Sequence, residues 1–261
     1  MDFKQVVGNR RSIRYYQAWR DVERSKVQTI LEAGRLAFRG VNASFAKAVV
    51  VYRDQVTEEQ RELLKDPTTT AQLDMAPVWI LWFGDLNAVT TAIDRGTLKE
   101  LVDVGALPPS HGWSHRYVDS VVIPQVLNPI RDDKTINLVL TAREAFATVA
   151  FSVLAAVDEG LGTMLTSMNP AAVTELVDAP DNWLFLVNQL VGYSAEALEA
   201  GQRPREPFED DFFEMRADRP FPRDEAVVAE LRHSGMIQDG GVAAWKREEN
   251  RALARMYGLP E

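Results

Sequence analysis

One segment limits the possible folds more than any other. From near Asn137 to Glu159 the chain reads as a single long helix, and its span Ala145-Phe146-Ala147-Thr148-Val149-Ala150-Phe151 is apolar on every side. A helix without a polar face belongs in an interior, so this span is expected to be covered all round. Its alanines would let a second helix come close. Gly160 and Gly162 follow where a helix stops. The longest nearly apolar run, Ala145 to Val157, falls short of the roughly 20 residues that a bilayer requires. The opening MDFKQVVGNRR has no apolar stretch behind a basic head, so no signal peptide is expected. The expectation is a cytoplasmic protein without a membrane partner.

A helix buried on all sides needs layers around it. Ala48 to Tyr52 reads as a strand through Val49-Val50-Val51, and a second apolar run, Val78 to Phe83, opens after Pro77. Leu184 to Val191, closed by Gly192-Tyr193, is a third strand. Continuous rather than alternating apolar runs predict strands covered on both faces. Asp2 to Gly8 reads as a short first helix with Asp2 as N-cap. A second helix is expected from Ser25, where Ser25 and Gln28 have capping-box spacing. Val27, Ile30, Leu31 and Gly34 then share one face. Residues from about Asp85 to Asp103 look helical, and Gly105 to His115 reads as a loop. Beyond about Glu196 the chain turns polar and carries Pro204, Pro207, Pro220 and Pro222, which reads as a wrapping arm; a last helix follows over about Val242 to Tyr257. Helices alternating with a few short strands predict an α+β layered domain.

Composition narrows the chemistry. The 261 residues carry a formal net charge of −9, which argues against a general nucleic-acid binder. The absence of cysteine excludes a disulfide scaffold, a thiol nucleophile and thiolate metal sites. Three histidines, His111, His115 and His233, leave little material for a triad or a three-histidine metal site. The sequence has no P-loop, no dinucleotide glycine fingerprint and no G-x-S-x-G elbow.

Against this acidic background, Arg10, Arg11 and Arg14 surround Ser12. Guanidinium groups hold phosphate oxygens in a bidentate fork, and a serine hydroxyl adds a short hydrogen bond. In an extended segment Arg10, Ser12 and Arg14 would point the same way. A solvated basic turn paired with surface carboxylates is the more ordinary fate of such a run. Farther on, Gly160-Leu161-Gly162-Thr163-Met164-Leu165-Thr166-Ser167 passes from the helix into an extended stretch with adjacent hydroxyls, suited to the edge of a planar ligand or to routine capping. Arg203-Pro204-Arg205-Glu206-Pro207 is a stiff basic segment that could reach back to a phosphate or be a linker. His111 and His115 have helical metal-binding spacing, but Gly112 and Pro108-Pro109 favour a loop and no metal is expected. That loop reads either as a mobile segment with Trp113, His115, Arg116 or Tyr117 contacting substrate, or as plain surface with a half-buried tryptophan. The acidic runs Asp132-Asp133 and Glu209-Asp210-Asp211 read as solvated faces.

Several of these segments, taken in order, resemble the FMN-dependent nitroreductase family. They are Arg10-Arg11-Ser12-Ile13-Arg14, the helix end Ala33-Gly34-Arg35-Leu36-Ala37 followed by Asn42, Ala76-Pro77-Val78-Trp79-Ile80, the alanine-rich helix into Gly160-Leu161-Gly162-Thr163, and Leu190-Val191-Gly192-Tyr193-Ser194 followed by Arg205-Glu206-Pro207. The resemblance covers roughly residues 1–215, and it is nearest the branch of iodotyrosine deiodinase and the flavin-consuming enzyme of cobalamin lower-ligand synthesis. It departs at Phe38-Arg39-Gly40-Val41-Asn42, where the family usually has a Pro-Ser pair, and the deiodinase lid pattern is not recognisable.

The resemblance implies a central, mainly antiparallel sheet flanked by helices, in an intertwined homodimer with FMN at the interface. Arg10, Arg11 and Ser12 would hold the flavin phosphate and ribityl chain, with Arg205 completing the phosphate site. Arg14 would sit near the pyrimidine edge, and Leu165, Thr166 and Ser167 near N5 and O4. Phe38, Arg39 and Gly40 would approach from the partner chain, and residues 216–261 would wrap that partner. The implied activity is ping-pong reduction of a nitroaromatic, quinone or similar electron-poor small molecule, with NADH or NADPH bound transiently. The chemistry resides in the flavin, so no protein nucleophile or base is required. A specialised dehalogenase, an oxygen-using enzyme and a non-catalytic flavin-sequestering protein remain alternatives.

Overall fold

The computed structural model describes residues 1–199, 201–238 and 243–260. In chain order it contains α1 (Phe3–Asn9), α2 (Arg24–Arg35), β1 (Ala46–Tyr52), α3 (Glu58–Leu64), α4 (Ala71–Met75), β2 (Val78–Asp85), α5 (Ala88–Arg95), α6 (Thr97–Asp103) and α7 (His115–Tyr117). A π-helical stretch, Val118–Leu127, leads into α8 (Asn128–Asp132), α9 (Lys134–Asp158), β3 (Gly162–Thr166), α10 (Pro170–Val177), β4 (Trp183–Gly192), α11 (Phe208–Asp211), α12 (Glu225–His233) and α13 (Lys246–Met256). The four strands form one antiparallel sheet in the order β1-β2-β4-β3.

Every residue of β2 is buried, because the sheet is covered on both faces as the unbroken apolar run predicts. Alternate residues feed different cores. Trp79, Leu81 and Phe83 join Ile13, Tyr16, Leu73, Met168 and Leu190 on one face. Val78, Ile80 and Trp82 join Val27 and Ile30 of α2 and Val149, Val153 and Ala156 of α9 on the other. The valine run of β1 is only half-buried, since β1 is an edge strand. Gly34 lets α2 close on α9: a Cβ there would lie 3.1 Å from Thr148 Cγ2 and 3.3 Å from the Thr148 carbonyl oxygen.

Asp2 caps α1 through Gln5 N, as expected. The capping box does not occur at Ser25: α2 begins behind Glu23, and the box is Thr57 with Gln60 at the start of α3. The stretch after β2 is broken into α5 and α6 at Gly96, whose φ of 71° no helix interior accepts. α9 begins one turn early because Asp133 caps Thr135 N and Ile136 N, and Asp132 pairs with Arg131. Val242, where the last helix is expected to begin, lies outside the described residues; α13 starts at Lys246.

The long helix differs from the sequence reading in its length and in its cover. At 25 residues and with its apolar composition, α9 is long enough to cross a membrane. It is also not covered all round. Ala145, Thr148, Val149, Ser152 and Val153 are buried, but Val139, Phe146 and Phe151 stand exposed with Leu36 and Phe38 from the end of α2. One face packs into the sheet and the opposite face is apolar and open in the single chain.

Candidate functional site

The segment from Arg10 to Tyr16 is fixed by the sheet. Ser12 bridges Thr163 in parallel, and Ile13 N donates to the Thr163 carbonyl at 3.1 Å, so the segment extends the sheet past β3. Farther along, Ala195 N donates to the Tyr15 carbonyl at 2.9 Å and Gln17 N to the Tyr193 carbonyl at 2.8 Å. The arginines are therefore displayed from an ordered backbone.

Two adjoining cavities open beside it. One, of about 220 Å³, is lined by Val7, Arg10, Arg11, Ser12, Gln202, Arg203 and Arg205. The other, of about 160 Å³, includes Arg11, Ser12, Arg14, Glu196, Arg203 and Lys246 in its lining. The structure thus gathers Arg10, Arg11, Ser12 and Arg205 round one hollow, and places Arg14 in the next. Arg14 Nη1 donates to the Ser12 carbonyl at 3.0 Å, and Glu196 Oε1 accepts from the Arg14 backbone N–H.

Electrostatics distinguish this cluster from a solvated basic turn. Among the described residues, none of Arg10, Arg11, Arg14, Arg203 and Arg205 forms an ion pair; the nearby carboxylates Glu196 and Glu249 pair with Lys246 instead. Burial, then the Arg205 charge, pulls Arg10 below its ordinary pKa. Burial, then Arg10 and Arg203, does the same to Arg11. Arg203 is lowered by burial and then by Arg14 and Arg10, with Glu196 offsetting part of this. Guanidinium stays protonated regardless. The cluster is a set of mutually repelling cations, and Arg11 Nε is buried with no partner among the described residues. A phosphate dianion would relieve that repulsion, so the donor set fits the phosphate end of FMN.

At the end of β3 two hydroxyls have partners within the chain. The Thr166 hydroxyl is hydrogen-bonded to Thr69, and Ser167 Oγ lies 2.8 Å from Thr68 Oγ1. The turn that carries these threonines is closed by Asp66, whose carboxylate accepts from Thr68 N and Thr69 N at 2.7 and 2.8 Å. The Ser167 hydroxyl, then Thr68 and the two amides, holds that carboxyl below its usual range. Both hydroxyls thus have a partner inside the chain, while Leu165 stands exposed on β3.

Phe38, Arg39 and Gly40 lie apart from the cavities. Phe38 meets Phe151 edge-on at 6.1 Å, Arg39 donates to the Arg35 carbonyl, and Gly40 N donates to Glu144 Oε2 at 2.7 Å. Trp113, His115, Arg116 and Tyr117 are also elsewhere: Trp113 packs edge-on against Tyr117 at 5.6 Å, His115 Nε2 lies 2.7 Å from Asp103, and the Arg116 carbonyl accepts from Ser120. None of these seven residues lines either cavity.

Sequence reasoning missed Gln202, Glu196, Gln238 and Lys246. Arg203 was legible only as one of the two arginines in a proline-stiffened segment that could reach back to a phosphate. Glu196 carried no signal.

No family model matches the chain, and no curated protein does. Solved structures do. A nitroreductase family protein of Streptococcus pneumoniae TIGR4 is 22% identical, with a TM-score of 0.63 over 82% of this chain and 100% of its own. A protein of Exiguobacterium sibiricum 255-15, assigned as a nitroreductase and solved in complex with FMN, is 19% identical, with a TM-score of 0.61 over 80% and 95%. The chain has the nitroreductase fold. NfrA2 of B. megaterium is 17% identical, with a TM-score of 0.60 over 100% of this chain and 93% of its own. The similarity therefore reaches beyond the nitroreductase core into the segment after about residue 215.

Proposed function

We propose that this chain is an FMN-dependent oxidoreductase that works as a homodimer in the cytoplasm. It would take electrons from NADH or NADPH and reduce a nitroaromatic, quinone or similar electron-poor small molecule by a ping-pong route. The observation that carries this reading is the unpaired guanidinium cluster on a nitroreductase fold. Bound FMN would supply the redox chemistry by accepting a hydride and passing electrons onward.

The chain's own residues would do the rest. Arg10, Arg11, Arg203 and Arg205, with the Ser12 hydroxyl, would grip the phosphate. Arg14, in the adjoining cavity, would hold negative charge farther along the ligand. Leu165 at the sheet edge would offer an apolar contact rather than a proton. The open face of Val139, Phe146, Phe151, Leu36 and Phe38 supports a second copy as partner. Phe38, Arg39 and Gly40, beside that face, would then border the partner's ligand. Trp113, His115, Arg116 and Tyr117 would do the same for substrate, and residues 216–261 would add contacts to the partner.

Purified protein titrated with FMN and with riboflavin tests the reading. Tighter binding of FMN is expected, followed by bleaching with NADH or NADPH and recolouring on addition of a quinone. Binding without bleaching would identify a flavin-holding protein, and no binding of either flavin would overturn the proposal.

A further inference from the structure

The extension after the core does more than add length. Its turn at Gly235 approaches the end of α1 so closely that a Cβ on Gly8 would lie 1.9 Å from the Gly235 carbonyl oxygen. From that turn Gln238 reaches into the basic segment. Its Oε1 accepts from Arg11 Nη2, and its Nε2 donates to Asn9 Oδ1 at 3.0 Å and the Gly8 carbonyl at 3.2 Å. Gln202 locks it from the other side, accepting from Gln238 N at 3.0 Å and donating to the Met236 carbonyl at 2.8 Å. The remaining donors of Arg11 that have partners go to main-chain carbonyls: Nη1 to Gly8 at 2.6 Å and to Arg10 at 3.1 Å.

A guanidinium flanked by Arg10 and Arg203 experiences repulsion from both. Among the described residues, the one side-chain acceptor that Arg11 uses is Gln238, which the extension supplies. A neutral amide acceptor fixes direction without cancelling charge, which a carboxylate at the same place would do. This is the property that a phosphate site requires of its scaffold.

We infer that Gln238 is a positioning residue: it orients the Arg11 guanidinium toward the anion cavity while leaving its charge unspent. The inference rests on the reading of that cavity as a phosphate site. Ligand affinity then depends on a residue that itself lines neither cavity.

The test compares wild type, Gln238→Ala, Arg11→Ala and the double variant, each titrated with FMN and riboflavin by fluorescence quenching. A lost hydrogen bond to a charged group corresponds to about a tenfold effect. Gln238→Ala is expected to weaken FMN about tenfold and leave riboflavin unchanged. In the Arg11→Ala background the same change should have no further effect, because Gln238 acts through Arg11. An FMN affinity within about twofold of wild type, equal losses for both flavins, or additive losses in the double variant would each overturn the inference. If wild type binds neither flavin, the flavin reading fails separately. Thermal stabilisation by inorganic phosphate then decides the positioning role: present in wild type and lost in Gln238→Ala supports it, and absent or equal in both overturns it.

Discussion

A guanidinium cannot escape repulsion by losing its proton at ordinary pH, so the five arginines round the two hollows, none of them ion-paired among the described residues, would gain from an outside anion. Arg203 touches both hollows and experiences Arg14, Arg10 and Arg205. Arg203→Ala is expected to cost about 1.5–3 kcal/mol of FMN binding, roughly ten- to a hundredfold in Kd, with little change for riboflavin. The pH dependence follows from the same charges. Arg10, Arg11 and Arg203 are lowered but remain cationic, so the cradle does not titrate near neutrality. The ligand phosphate does, with a second pKa of about 6. FMN affinity should therefore be full above that value and fall as pH drops through it, while riboflavin affinity stays flat. Titrations at either side of the phosphate pKa check both statements, and a flat FMN profile would contradict the assignment.

At the scale of elements, what was legible and what was not have physical causes. The runs Val78–Phe83 and Leu184–Val191 are strands of the sheet interior, and unbroken apolar sequence says so directly. Arg10, Arg11, Ser12 and Arg205 meet in space because the segment before α2 joins the sheet edge, and the spacing round Ser12 gave notice of the first three. The commitment of Thr166 and Ser167 to the Asp66–Thr69 turn was not legible, since it joins side chains 97 and 99 positions apart. Nor was the docking of the extension, whose polar contacts carry no periodicity. Lys246 on α13 pairs with Glu196 at 2.8 Å and with Glu249 at 2.5 Å, and Glu249 accepts from Ala197 N at 2.7 Å. Tyr257, just past α13, stacks on Trp19 at 6.5 Å and donates its hydroxyl to the Tyr16 carbonyl. Gly8 is the tightest point of this docking. Gly8→Ala forces a methyl into the Gly235 carbonyl, so the turn must move. The expected result is a loss of roughly 1–3 kcal/mol in denaturant unfolding, with the extension becoming the first site of limited proteolysis. Unchanged stability and an unchanged cleavage pattern would show that the turn is not held there.

At the scale of the whole molecule, the fold leaves α9 half-covered. Antiparallel strands and the helices α1, α2 and α8 pack on one side of it, yet Phe146 and Phe151 are 43% and 40% exposed on the other. Phe38, at 72%, lies against Phe151 and widens the same apolar face. Exposed apolar faces of this kind mark contact surfaces, and a second copy presents an identical apolar face without adding an unpaired charge. Phe151→Asp places a carboxylate in the middle of that face. In a dimer it would meet the partner's copy of the same charge, dehydrated and unpaired, which costs more than the lost ring contact alone. The variant should therefore sediment as a monomer at concentrations where wild type sediments as a dimer, while its circular dichroism stays unchanged because the substituted side chain lies outside the core. If Phe38, Arg39 and Gly40 border the partner's ligand, FMN affinity should fall together with dimerisation. A Phe151→Asp protein that remains dimeric would assign the open face of α9 to another role.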